Sequence, residues 1–157
     1  MKSKLTAIDL FSGAGGFHMG FERAGFEIKL CIDNNHLVER THSRNFPHIP
    51  MINRDIRDID PEDLKTLLGD VDLDVMIGGP PCQGFSTIGK RSSSDPKKRA
   101  LHDPRNDLVL TYANLVKFLQ PKFIVMENVK GILTKDRGTY LENVLSVLRE
   151  AGYDVDF

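Results

Sequence analysis

At 157 residues the chain is close to the roughly 100–200 residues of one domain, and its 40% hydrophobic content excludes a mainly disordered polypeptide. Lys plus Arg number 21 against 22 Asp plus Glu, a formal charge of −1, so any sign of a nucleic-acid partner has to be local. Cys31 and Cys82 are too few for a secreted disulfide framework and lack the spacing of a zinc site, and the apolar stretch before Ser12 is too short for a signal-peptide core or a membrane span. A soluble, cytoplasmic protein with no metal is expected.

In chain order, Leu5–Phe11 reads as a strand and Phe17–Ala24 as a helix capped at Gly25. Glu27–Ile32 reads as a second strand, Asn35–Asn45 as a helix and Ile49–Ile52 as a short third strand closing on Asp55. Pro61–Leu68 carries Pro at a first helical position and Gly69 just past its end. Asp74–Ile77 is a compact buried strand running into Gly78-Gly79-Pro80-Pro81. Residues 84–104 form one long polar and basic loop, followed by a helix over Arg105–Leu119, a strand over Lys122–Met126 and a helix over Thr139–Glu150 ending at Gly152. Tyr153–Phe157 reads as the first half of another strand.

Repeated alternation of strand and helix implies an α/β fold, an open, doubly wound, mostly parallel sheet covered on both faces. In such sheets ligands bind beyond the carboxyl ends of the strands, at the switch in strand order. The loops after the strands are therefore where chemistry is sought.

The first of these loops, Asp9-Leu10-Phe11-Ser12-Gly13-Ala14-Gly15-Gly16-Phe17, has the spacing G-x-G-G and not the dinucleotide G-x-G-x-x-G. Its glycines allow a tight turn and close approach of a ligand to the backbone. Asp33 and Asp55 end the second and third strands. Singly, each reads as an ordinary turn aspartate; together with the glycine loop they suit an adenosine-like ligand without phosphates.

Cys31, inside an apolar strand, reads as a small buried hydrophobe. Cys82 differs, because two prolines stiffen the backbone that delivers it to the end of the fourth strand, where a held thiol is a candidate nucleophile. The fifth strand brings Glu127 to the same edge, where desolvation by the apolar Phe123–Met126 stretch would favour a protonated carboxyl. Its alternative is a salt-bridging or capping role, and Asn128 reads as a turn or hydrogen-bonding residue. Lys90, Arg91, Lys97, Lys98 and Arg99, against the single acid Asp95, make a positive arm suited to phosphates in a chain of charge −1.

The glycine loop, then Gly79-Pro80-Pro81-Cys82-Gln83-Gly84-Phe85-Ser86, then Glu127-Asn128-Val129, in this order and spacing, resemble the first, fourth and sixth motifs of DNA (cytosine-5)-methyltransferases. Asn45-Phe46-Pro47 and Asp103-Pro104-Arg105-Asn106-Asp107-Leu108 match intervening blocks, so the resemblance covers essentially the whole chain. It implies a Rossmann-like fold in which S-adenosylmethionine lies over Ser12, Gly13, Ala14 and Gly16. Phe11 would lie against the adenine, Asp33 on the ribose hydroxyls and Asp55 on the adenine amino group, with Asn34, Ile56, Pro81 and Leu108 as further contacts. Asp33 stands where the family more often has Glu, so the ribose contact is expected at shorter reach. By the same resemblance Cys82 attacks C6 of a flipped-out cytosine in duplex DNA, Glu127 acts at N3, and Gln83, Ser86 and the basic loop face DNA.

The resemblance also implies parts the sequence does not contain: a glutamine-arginine motif, a target-recognition domain and a returning helix that completes the cofactor pocket. Residues 1–157 are thus expected to be the N-terminal portion of a catalytic domain, unable to methylate DNA unaided and completed by further sequence or a second chain. The tRNA-modifying branch of the family is an alternative, disfavoured by Gly84, and a non-catalytic cofactor-binding subunit is another. A thiol hydrolase or redox role fails, for there is no C-x-x-C and no histidine that sequence marks as a partner of Cys82.

Overall fold

Five short apolar runs make the sheet, and the three at its centre, rich in β-branched and long aliphatic residues, are the most deeply buried. In the computed structural model, which describes residues 4–81 and 107–157, the strands are β1 (Thr6–Leu10), β2 (Glu27–Asp33), β3 (Met51–Asn53), β4 (Val75–Gly78) and β5 (Phe123–Met126). All are parallel, in the order β3-β2-β1-β4-β5. The chain winds outward from β1 to β3, then returns to the other side of β1, so the switch point lies between β1 and β4.

The helices are α1 (Gly16–Arg23), α2 (His36–Asn45), α3 (Pro61–Leu68), α4 (Asp107–Leu119) and α5 (Thr139–Glu150). Their starts follow local chemistry. Asn35 caps α2 by accepting from the Leu37 amide at 3.0 Å, and Asp60 caps α3 by accepting from Glu62 at 3.0 Å, with Pro61 in the first turn. Short 3₁₀ turns at Ile56–Asp58, Lys130–Leu133 and Lys135–Gly138 were not signalled by any apolar period.

The chain divides into two compact units, Met1–Gly79 with Phe118–Met126, and Pro80–Lys117 with Glu127–Phe157. The first holds the sheet. Its core gathers Ala7, Ile28, Cys31, Ile49, Val75 and Ile77, against which Phe17, Phe21, Phe26, Phe46 and Met51 pack. At the amino ends of β1 and β4, the Thr6 amide donates to Asp74 Oδ2 at 2.8 Å, and Lys122 donates to Asp74 Oδ1 at 2.8 Å and also to Asp72. In the second unit, α5 buries Tyr140, Val144, Leu145 and Leu148 and runs close to the two 3₁₀ turns that precede it.

One expectation needs correction. Tyr153–Phe157 pairs with no strand among the described residues and forms no sheet element. On β5, Phe123 is 69% and Val125 40% exposed. Uniformly apolar Phe-Ile-Val-Met carries no alternation from which that exposed side could be read. Among the described residues no helix is long and apolar enough to cross a membrane.

Candidate functional site

β1 ends at Leu10 and the chain reverses sharply. Phe11 takes φ 62°, a left-handed conformation that a bulky L-residue adopts only at a cost of roughly 1–2 kcal/mol, followed by Gly13 at 53° and Gly15 at 102°. The loop is pinned at both sides: the Ser12 amide donates to the Ile32 carbonyl at 3.0 Å, and the Gly15 amide to the Ser12 carbonyl at 3.1 Å. The Gly13 amide donates to Asp33 Oδ2 at 3.0 Å, while Asp33 Oδ1 accepts from the Asn35 amide at 2.9 Å. One carboxylate therefore ties the glycine loop to the end of β2. Each of its oxygens retains acceptor capacity beyond the single N–H it takes.

β3 continues the row. The Arg54 amide and Asn53 Nδ2 donate to the Asp33 carbonyl at 3.1 and 3.0 Å, which holds the end of β3 against Asp33, two residues before Asp55. Asp55 caps the following turn and is gripped by Arg57, whose Nε and Nη2 donate to its two oxygens at 2.9 and 2.7 Å. That guanidinium, an unheralded neighbour, holds the Asp55 carboxyl down at about 2. Sequence reading missed Arg57 because a pair two residues apart fits no helical period. The adenine-amino contact expected of Asp55 must share a carboxylate already engaged on both oxygens. Asn34 is exposed and Ile56 buried in this row.

The loop's chemistry fits a neutral nucleoside. A Cβ built on Gly13 or Gly16 meets nothing within 4 Å, so the backbone has an open face there. Two carboxylates, Asp33 and Asp55, line the same row of strand ends and would repel a pyrophosphate, whereas ribose hydroxyls and an adenine amino group are donors that they can accept from. Gly15 has a different duty: its Cβ would lie 2.5 Å from Phe46 Cε2 and 2.8 Å from His18 Nε2.

In the second unit, Asn128 Nδ2 donates to the Pro80 carbonyl at 3.1 Å, and Asn128 Oδ1 accepts from the Val129 amide at 2.9 Å. Asn128 is thus a structural residue, as read. It fastens the segment that carries Glu127 to the segment that leads, through Pro81, to Cys82. Glu127 itself is exposed, so the desolvation expected of it is not supplied by the described residues. Leu108 is buried on α4 and Pro81 is half-buried, both in this unit. Cys82, Gln83, Ser86, Lys90, Arg91, Lys97, Lys98 and Arg99 lie outside the described residues.

A family model described as C-5 cytosine-specific DNA methylase matches residues 5–157. Among curated relatives, Type II methyltransferase M.DdeI of Desulfomicrobium norvegicum is 43% identical over 154 residues, covering 96% of this chain and 35% of its own length. Type II methyltransferase M.XorII of Xanthomonas oryzae pv. oryzae is 41% identical over 150 residues, covering 94% of this chain and 34% of its own. Of solved structures, a DNA modification methyltransferase encoded within an E. coli prophage matches with TM-score 0.78 and 34% identity, over 94% of this chain and 38% of that one. The chain spans about a third of the length of the curated relatives it matches.

Proposed function

We propose that this chain, which belongs to the C-5 cytosine-specific DNA methylase family, is the part of a DNA (cytosine-5)-methyltransferase that binds S-adenosylmethionine and bears the attacking thiol. The observation that carries the reading is the Asn128–Pro80 hydrogen bond, which joins the Glu127 segment to the chain two residues before Cys82. Transfer is proposed for the protein with the rest of its catalytic and base-reading parts, on one chain or two, since its relatives are about three times as long.

Methyltransferases of this family use S-adenosylmethionine, which when bound supplies an electrophilic methyl carbon. Asp33 and the loop Phe11–Gly16 hold its nucleoside, with Asn34, Asp55, Ile56, Pro81 and Leu108 as further contacts. Cytosine C5 is a poor nucleophile. The Cys82 thiolate adds to C6, breaking the C5–C6 double bond and sending its electron pair toward C5, while Glu127 holds a proton at N3 and disperses the developing charge. After transfer, loss of the C5 proton expels the Cys82 thiolate and restores the ring. A stacked base hides both ring faces, so the target is flipped out of the duplex, where enclosure by the base supplies the desolvation that exposed Glu127 lacks. Gln83, Ser86 and the basic residues Lys90, Arg91, Lys97, Lys98 and Arg99 face the DNA.

The decisive assay is trapping on duplex DNA containing 5-fluorocytosine, with tRNA in parallel. The intact protein should form a denaturant-resistant adduct with the duplex in the presence of S-adenosylmethionine, and Cys82→Ser should not. Cofactor binding without any adduct would make the chain a binding subunit, and an adduct only with tRNA would move it to the other branch of substrates.

A further inference from the structure

Directly beneath the glycine loop lies a polar cluster that the methyl-transfer chemistry does not use. Asp9 (β1), His18 (α1), Cys31 (β2) and His42 (α2) are each 0% exposed. His18 Nδ1 lies 3.0 Å from Asp9 Oδ2 and 3.4 Å from Cys31 Sγ, and the His18 and His42 rings meet edge-on at 5.1 Å. One ligand atom from each of His18, Cys31 and His42 lies within 4.8 Å of the others. Four polar atoms here are buried with no hydrogen-bond partner among the described residues: Asp9 Oδ1, His18 Nε2 and both nitrogens of His42. Each would cost roughly 1–3 kcal/mol if left unmet. A neutral imidazole must also present one N–H donor, so His42 has an unmet donor and an unmet acceptor at once.

We propose that His18, Cys31 and His42 form a buried structural site for a divalent transition metal, zinc by its donor set, with the Asp9 carboxylate orienting His18 through Nδ1. Two imidazoles and a thiolate are a borderline-soft set that suits zinc, and His18 keeps Nε2 without a partner while Nδ1 faces Asp9. Charge balances as well. One thiolate and one carboxylate neutralise a divalent cation, so the occupied cluster is uncharged in an interior that would reject a net charge. The Asp9–His18 bond matches the carboxylate–histidine pairing that fixes a ligand ring in metal sites. The proposal is independent of the methyltransferase reading, since none of the four residues touches cytosine in it. Its consequence is mechanical: the ion would lock α1 and α2 to β1 and β2, below Gly15.

The test is metal content and coordination of the intact, tag-free protein after refolding with zinc chloride or cobalt chloride alone. Stoichiometric zinc is expected, with X-ray absorption showing sulfur at about 2.3 Å and nitrogen at about 2.0–2.1 Å. The cobalt form should show a thiolate-to-metal charge-transfer band that Cys31→Ser loses and Cys82→Ser keeps, and His42→Phe should lose stoichiometric binding. If Cys31→Ser does not fold, the absorption spectrum of the unaltered protein and the Cys82→Ser spectrum decide. Substoichiometric zinc, a coordination shell without sulfur, or a thiolate band that disappears in Cys82→Ser would overturn the site.

Discussion

The glycine loop should separate into residues that serve the protein and residues that serve a ligand, and three alanine substitutions read the difference. In Gly15→Ala the new Cβ would sit 2.5 Å from Phe46 and 2.8 Å from His18, on a backbone at φ 102°. The left-handed conformation costs roughly 1–2 kcal/mol for an L side chain, and forcing a methyl into packed rings adds about 1–3 kcal/mol. A loss of about 2–5 kcal/mol is a large part of the roughly 5–15 kcal/mol that holds a domain folded. Gly13→Ala keeps the amide that Asp33 accepts from and adds a Cβ with nothing within 4 Å, so only the φ 53° strain, about 1 kcal/mol, should appear. Gly16→Ala meets neither a neighbour nor an unusual φ and should leave stability unchanged or raise it by up to about 1 kcal/mol. Urea midpoints by circular dichroism give the stability order, and calorimetry with S-adenosylmethionine gives the affinity order. Gly13→Ala and Gly16→Ala should each weaken the cofactor by roughly tenfold or more, about 1.4 kcal/mol. A Gly15→Ala midpoint equal to the wild type, or undiminished affinity in both of the others, would refute this division.

Arg57→Ala should release the Asp55 carboxyl from about 2 toward the ordinary ~3.9, read by an NMR pH titration; an unmoved value would show that the guanidinium is not the cause. Asp74 is likewise depressed, by Lys122 first and the Thr6 amide second. A depressed carboxyl stabilises the fold above its unfolded pKa and loses that contribution as pH falls through the folded value. Lys122→Met should therefore start acid unfolding at higher pH than the wild type, and superimposable acid limbs would remove Lys122 from the account. Asn128→Ala frees the Pro80 carbonyl and should slow methyl transfer by about tenfold, the worth of one neutral hydrogen bond, while cofactor affinity holds. A drop in affinity with unchanged kcat would put Asn128 in the cofactor site instead.

Periodicity and turn chemistry were enough for most of the scaffold, because they act within a few residues. The Pro61–Leu68 and Thr139–Glu150 helices stand where local signals put them, and β2 needs only one residue more than its apolar run. Asp33 was legible for the same reason: strand ends and loop lengths alone place it near the glycines. Arg57, the exposed side of β5 and the left-handed Asp136 and Arg137 at 49° and 59° were not, since each depends on a specific backbone path through polar or uniformly apolar sequence. The buried cluster lay furthest from reach. Its members are 9 to 33 residues apart and come from four different elements, so no ligand spacing exists to be seen, and Cys31 reads as the small hydrophobe that its strand requires.

That cluster changes how the glycine motif is understood. A run of glycines after a first strand is naturally read as clearance for a ligand, and Gly13 and Gly16 keep that meaning, since a side chain there would enter open space. Gly15 faces inward, where the only room left by His18 and Phe46 is that of a hydrogen atom. The edge-on stacking of His18 on Phe46 at 4.7 Å and on His42 at 5.1 Å, with Asp9 and Cys31 behind, sets how closely the loop can approach α2. The glycine loop is therefore positioned from both sides, by the Asp33 carboxylate at the strand ends and by a packed polar cluster beneath. Perturbing the cluster should move the loop even though no member of it contacts the ligand: Phe46→Ala, which opens the space against Gly15, should weaken S-adenosylmethionine binding while sparing the Gly13–Asp33 amide bond, visible as a retained protected amide in hydrogen exchange. An unchanged affinity in that variant would mean that Asp33 alone holds the loop in place.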